Sequence, residues 1–260
     1  MKMTFLGAGS AFTNPALSNN YQSNMIITSD NGKNLLIDCG TQAHIAMHEQ
    51  GLHANAGDII DAVYISHLHA DHIGGMEEFG FKTYFYPGIN RSKLFANEDV
   101  IFELWKALAP GMASLQNKIA SLETFWDVHT IGSNGSFEWE TQRFDLVQVM
   151  HIVNDRKFVP SYGLKFNVNG VNYFLTTDAQ HAPNQIRDFY NASDIIFQDC
   201  ETLPKEYASG VHANYFELLE LPKEIRAKMW LYHYQDGDKP DCVADGFKGW
   251  VQKGQQFEFV

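Results

Sequence analysis

The sequence is short of cysteine: three in 260 residues, Cys39, Cys200 and Cys242, with no Cys-x-x-Cys pair. That spacing gives neither a disulfide framework nor a thiolate zinc site, and it suits a reducing cytoplasm. Basic residues are also scarce, with Lys plus Arg 19 against Asp plus Glu 31, a formal charge of −12. So acidic a chain repels phosphate backbones, which argues against a stable nucleic-acid complex and against an anionic membrane surface. A small anionic ligand held through a metal is not excluded. No run of 18 apolar residues occurs, so no transmembrane helix is expected. The first residues, Met1-Lys2-Met3-Thr4-Phe5-Leu6-Gly7, lack the apolar stretch of a secretory signal. The sequence shows no internal repeat, low-complexity tract or charged tail.

Hydrophobic residues make up 45% of the chain, enough for a sizeable core. Short apolar runs bounded by Gly, Asn and Asp predict strands at Met3–Leu6, Asn24–Thr28 and Leu35–Asp38. A helix is expected from Thr41, as N-cap, to about Gln50, with Gly51 as its stop. Ala62–Ser66 is nearly all apolar and predicts a strand buried on both faces. Residues 81–145 are aromatic-rich, with helical patterns at Glu98–Leu108 and Ser114–Leu122 split by Pro110-Gly111. This stretch is expected to be an insertion, a lid or a dimer element. Strands are predicted again at Leu146–Met150, Tyr162–Val168 and Val171–Thr176, with Asn169-Gly170 as a hairpin turn. Pro183–Tyr190 and Tyr215–Leu221 predict helices; Asp194–Phe197 and Met229–Tyr232 predict strands. The alternation implies one α/β domain over residues 1–260, sheets inside and helices outside.

His67-Leu68-His69-Ala70-Asp71-His72 places four metal-ligand side chains in six residues, directly after the predicted buried strand. His67 and His69, at i and i+2 of an extended segment, point the same way and can reach one ion. Asp71 and His72 fall one step later, where a helix should start, and would face a neighbouring ion. Gly74-Gly75 would let that helix approach the sheet closely. Burying four such groups with no metal would be costly. His151, Asp178 and His233 each end a predicted strand, where α/β sheets build their sites.

This order of residues resembles the metallo-β-lactamase superfamily, marked by H-x-H-x-D-H followed by a separate His, an Asp and a last His. The resemblance spans nearly the whole chain and implies an αββα sandwich. It also implies one ion held by His67, His69 and His151, a second by Asp71, His72 and His233, and Asp178 bridging them. Seven N/O ligands without a thiolate suit Zn2+, with Mn2+ or iron as alternatives. Lactamases that bind two zincs usually place a Cys at the second site, and Cys200 and Cys242 fit no ligand position. Two divalent ions, two aspartates and a hydroxide leave a net charge of about +1, which suits a phosphodiester monoanion.

Within the superfamily the chain is similar to the RNase Z branch of phosphodiesterases. The similar segments are Asp38-Cys39-Gly40-Thr41-Gln42, Val159-Pro160-Ser161-Tyr162-Gly163 after His151, and Asp199-Cys200-Glu201-Thr202 followed by His212. In the mechanism expected for such a site, Asp71 can accept a hydrogen bond from the attacking hydroxide. His212 would protonate the leaving alkoxide, with Glu201 fixing its tautomer. The Gly- and Lys-rich arm by which RNase Z grips tRNA has no counterpart here.

A narrower resemblance is carried by Tyr64–Gly75, Phe197–Glu201, Ser209–Ala213 and Lys228–Gln235. These segments resemble small RNase Z-like enzymes of phages and bacteria, among them the anti-Pycsar proteins, which hydrolyse 3′,5′-cyclic nucleotides and silence a cyclic-pyrimidine immune signal. The expected substrate is therefore a cyclic nucleotide, and the expected assembly a homodimer in the cytoplasm. The rivals are tRNA 3′-processing, thioester or lactone hydrolysis, and a redox or sensing role. Gly7-Ala8-Gly9-Ser10 lacks the third glycine of a nucleotide fingerprint and reads as a tight turn beside the site. His44 and His48 read as a solvated helix face, and His53, His129 and His181 as loop residues.

Overall fold

The computed structural model describes residues 1–52, 59–86, 88, 90–154 and 157–259; His53 lies outside them. The strands are β1 (Lys2–Phe5), β2 (Met25–Thr28), β3 (Asn34–Ile37), β4 (Ala62–Ile65), β5 (Lys93–Asn97), β6 (Ser114–Leu115), β7 (Lys118–Ile119) and β8 (Asp127–Ile131). They continue as β9 (Ser136–Trp139), β10 (Gln142–Asn154), β11 (Lys157–Val168), β12 (Val171–Leu175), β13 (Ile195–Asp199), β14 (Met229–Tyr232), β15 (Gly249–Trp250) and β16 (Gln256–Glu258). One sheet runs β16-β1-β2-β3-β4-β5-β8 and the other β15-β14-β13-β12-β11-β10-β9.

Each sheet has an antiparallel half and a parallel half. In the first, β1, β2 and β3 pair antiparallel, and β3, β4, β5 and β8 pair parallel. In the second, β9 to β12 are antiparallel and β12 to β15 parallel. Every residue of β4 is buried, as a parallel strand covered on both faces requires. The Asn169-Gly170 turn takes positive φ at both residues, 51° and 91°, and closes the β11–β12 hairpin as predicted.

The sheets pack face to face. Phe5 of β1 lies 5.6 Å from Phe197 of β13 and 5.4 Å from Tyr232 of β14 between ring centroids. Helices close the outer faces. Ile186, Tyr190, Leu218 and Ile225 cover Val147, Ile196 and Leu231 of the second sheet. Helices Ala43–Glu49, Met76–Phe85 and Glu98–Met112 bury Met47, Phe79 and Leu104 in the larger cluster with the first sheet. The result is the expected αββα sandwich. No described helix is long and apolar enough to cross a membrane.

Three local expectations give way. The helix begun at Glu98 runs through Pro110 to Met112 instead of ending at Leu108. Ser114–Leu122 is not helical: β6 and β7 form a small hairpin with Asn117 at φ 62°, and a short helix follows at Leu122–Phe125. Thr41 is not the N-cap, because its hydroxyl donates to Gln22 Oε1 at 2.9 Å and Gln42 takes the cap position. Residues 81–145 are woven into the sandwich, supplying β5 and β8 to the first sheet and β9 to the edge of the second.

Candidate metal centre

The candidate residues gather where strands of both sheets end. After β4 the chain reaches His69, which is extended at φ −69° and ψ 155°, and then enters the short helix Ala70–Ile73. That helix is pressed onto the end of β3. A Cβ on Gly40 would stand 1.9 Å from the Asp71 carbonyl oxygen, and one on Gly75 would stand 2.6 Å from the Gly40 carbonyl. Glycine is required on both sides of this contact.

His151 is presented by a β-bulge. Val149 pairs with Ser161 and Ile152 with Val159, so Met150 and His151 together oppose Pro160. Proline has no N–H to give the ladder, and a bulge is where a strand tolerates it. Asp38, Thr177 and His233 all take left-handed backbone, with φ 60°, 56° and 66°. For a β-branched residue such as Thr177 that conformation costs on the order of 1–3 kcal/mol, and such strain collects at functional sites. The Ala8 carbonyl accepts the His233 N–H at 2.8 Å, so the Gly7–Ser10 turn does lie beside the site.

Three groups of possible donors share Asp178 among the described residues: one adds Asp199 and His212 to Asp178 and His233, and the other two are the sets the sequence predicts. The ligand atoms of His67, His69, His151 and Asp178 lie within 4.8 Å of one another, as do those of Asp71, His72, Asp178 and His233. Tautomers follow from the outer ring nitrogens. His151 Nδ1–H donates to the Val211 carbonyl at 2.8 Å, which leaves a lone pair on Nε2. Ser66 Oγ donates to Asp38, so His67 Nδ1–H donates to Ser66 and its Nε2 is likewise bare. Both Nε2 atoms stand 3.1 Å from His69 Nδ1. His72 Nδ1–H donates to Asp38 Oδ2 at 2.7 Å, and its Nε2 faces Asp71 and Asp178 oxygens, each at 3.2 Å.

Ring nitrogens and carboxylate oxygens therefore crowd together in a buried space that needs protons or a cation: burial opposes charge on His72, but the Asp178 and Asp71 carboxylates outweigh it and hold that ring well above the ordinary imidazole value. His72 Nε2 and both oxygens of Asp178 have no hydrogen-bond partner among the described residues. A divalent cation resolves that conflict, and the nitrogen and carboxylate donors suit one. Burial holds His67 well below the usual imidazole range and His151 down to about 4, which keeps both rings in the neutral form that ligates.

His212 lies beside this cluster, but its partner is not the one expected. His212 Nδ1 donates to Asp199 Oδ2 at 2.8 Å, and no described hydrogen bond links it to Glu201. The same Asp199 oxygen accepts the Ala179 N–H at 2.8 Å, and its other oxygen is 3.3 Å from His233 Nδ1. Burial opposes a charged His212 ring, yet the Asp199 carboxylate outweighs it and raises the pKa above the ordinary value. Glu201 instead ties down the loop that carries His212, accepting from the Ser209 N–H and from Asn214 Nδ2. Asp38 was also missed as a partner of His72. Both overlooked aspartates close strands, the signal by which Asp178 was found.

The architecture has solved counterparts. The metallo-beta-lactamase fold protein YhfI from Bacillus subtilis superposes with a TM-score of 0.74 over 99% of each chain, at 18% identity. Fold and donor sets together define a protein of the metallo-β-lactamase fold with buried side chains suited to divalent metal. A family model described as Anti-Pycsar protein Apyc1 matches residues 1–257. The protein of that name from Paenibacillus harenae is 35% identical over 238 residues, covering 91% of this chain and 90% of its own. That from Bacillus phage vB_BsuM-Goe3 is 26% identical over 266 residues, covering 98% and 97%. The chain belongs to the anti-Pycsar Apyc1 family.

Proposed function

We propose that this protein is a dinuclear phosphodiesterase that opens 3′,5′-cyclic nucleotides to linear monophosphates and so counteracts cyclic-nucleotide antiviral signalling. The observation that carries the reading is Asp178, shared by two buried donor sets with a protonatable histidine, His212, beside them. His67, His69 and His151 would hold one divalent ion, Asp71, His72 and His233 another, with Asp178 between; Zn2+ suits the donors, and Mn2+ is the alternative. Such a pair supplies Lewis acidity and lowers the pKa of water towards ~7.

The chain's own groups do the rest. Asp71 accepts a hydrogen bond from the attacking water and orients it. His212 Nε2 gives a proton to the departing ribose oxygen, and Asp199 holds the ring in the tautomer and charge state that can do so. Water is added across one P–O bond, so the product is a linear monophosphate. The family name supports the substrate class. The charge of −12 weighs against a docked tRNA. The phage relatives fit action in a host cytoplasm. The exposed Phe85 and Tyr86 offer apolar area for a homodimer.

Product analysis tests the reading. Metal-loaded protein is incubated with 3′,5′-cyclic nucleotides and, separately, with precursor tRNA, using Asp71→Ala as the blank. Linear monophosphates absent from the blank are expected. Cleaved tRNA beside intact cyclic nucleotides would overturn the proposal in favour of RNA processing.

A further inference from the structure

A cleft of about 380 Å3 opens beside the segment that follows His233. Small-molecule sites run to about 300–1,000 Å3, so it has room for a small ligand and its water. Three stretches wall it: Asn19 and Asn20 after the helix Pro15–Ser18, Gln235 and Asp236 after β14 with Lys239 further on, and Lys253 after β15. The cleft is outside the metal centre but tied to its frame. Asn20 Oδ1 accepts the Ala8 N–H at 3.1 Å, and the Ala8 carbonyl in turn accepts the His233 N–H.

The polar atoms of its lining are unequally committed. Asn19 Oδ1 accepts from Lys253 Nζ at 2.8 Å, and Gln235 Oε1 accepts the Thr202 N–H at 2.6 Å. Both partners can only donate, so they fix which way each carboxamide points. The amide NH2 groups of Asn19 and Gln235 are left with no bond among the described residues. Lys239 Nζ is a third spare donor: it lies 4.1 Å from the centre of the Tyr234 ring and joins no hydrogen bond or ion pair among the described residues. Burial holds its pKa below the usual lysine value, against the pull of Asp236 and Asp238. Lys253, by contrast, is paired with Glu49 at 2.8 Å. Asp236 gives one oxygen, Oδ2, to the Asn14 N–H at 2.8 Å and keeps the other free.

We propose that this cleft binds inorganic phosphate, with Lys239 and the amides of Asn19 and Gln235 donating to its oxygens and Asp236 accepting from its P–OH. Three spare donors, one of them charged, suit an oxyanion. The spare carboxylate oxygen narrows the choice. Hydrogen phosphate carries a proton to give it. Sulfate carries none, and a phosphomonoester above its second pKa of about 6 carries none either, so each would set bare oxygen against Asp236. The site would stand whatever the metal centre hydrolyses.

The test reads Lys239 directly. Lysines of the metal-loaded protein are reductively methylated with 13C-formaldehyde, which keeps their charge, and the NMR signal missing from Lys239→Gln is assigned to Lys239. Inorganic phosphate, sulfate and methyl phosphate are then titrated at constant ionic strength near pH ~7.5. Phosphate is expected to move the Lys239 signal saturably, with a midpoint roughly tenfold below those of the other two anions. Asn19→Gly deletes one donor at a residue whose φ of 51° suits glycine, and should weaken phosphate roughly tenfold. Asp236→Asn should bring sulfate level with phosphate. A Lys239 signal that phosphate leaves in place, or that all three anions move alike in wild type, would overturn the inference. Turnover is not part of the readout, so that result would leave the phosphodiesterase reading intact.

Discussion

His212 and Asp199 show how one carboxylate sets the chemistry of a ring. A histidine buried alone would lose its proton near neutrality, because burial disfavours the charged form. Asp199, 2.8 Å away, reverses the sign and raises the pKa. A general acid works only while protonated, so if His212 is the proposed acid, activity should hold below its pKa and fall as pH rises through it. Asp199→Asn removes the larger opposition to burial, leaving Asp178, and the alkaline limb of the kcat–pH profile should move to lower pH. An unmoved limb, in a variant shown to keep its metal, would detach Asp199 from the proton transfer. His212→Ala should cost about 10²–10⁴ in kcat with metal content retained. Full turnover would remove His212 from the mechanism. The sequence suggests Glu201 as the carboxylate that orients His212, whereas the ring bonds Asp199. Asp199 and Glu201 stand two apart at the end of β13, and only the fold shows that the first reaches His212 while the second closes a loop.

At the scale of elements, the site depends on how closely segments approach. The helix Ala70–Ile73 can carry Asp71 and His72 to the cluster only because Gly40 leaves room for the Asp71 carbonyl. Gly40→Ala should force the two apart. Overpacking of this kind costs about 1–3 kcal/mol, and here the displaced groups are ligand candidates. Denaturation should register the stability loss and bound-metal analysis a weakened second ion; unchanged metal content would show that the approach is not needed. Gly170→Ala makes the comparison, since it is also strained by its positive φ, at 91°, but lies in a turn and should leave metal content alone. The ligand motif and most strands were legible because burial and ligand chemistry write strong local patterns. The β6–β7 hairpin was not, because Asn117 takes its left-handed turn without a following glycine. The helix through Pro110 was not either, because Leu108 and Met112 bury on either side of the proline and outweigh the lost backbone bond.

At the scale of the whole molecule, the donor sets join two sheets that otherwise meet through apolar side chains. His67, His69, Asp71 and His72 follow β4 of the first sheet, whereas His151, Asp178 and His233 belong to the second or to its strand ends. An ion held between them is a cross-link over large sequence separations, and the unfolded chain offers no such site. Ligands that bind only the folded state stabilise it by mass action, about 2.7 kcal/mol per site at a hundredfold excess over Kd. In a protein of this size that corresponds to roughly 5–10 °C in the thermal midpoint. Exhaustive chelation should therefore lower the midpoint by at least that much, and re-addition of Zn2+ or Mn2+ should restore it in a concentration-dependent way. Asp178→Asn, which removes the charge of the carboxylate proposed to lie between the ions, should show a smaller rise on metal addition than wild type. A midpoint indifferent to chelator and metal alike would mean that the two sheets hold these seven side chains together without an ion. The buried carboxylates of Asp71 and Asp178 would then be balanced by ring protons alone, as the raised pKa of His72 allows.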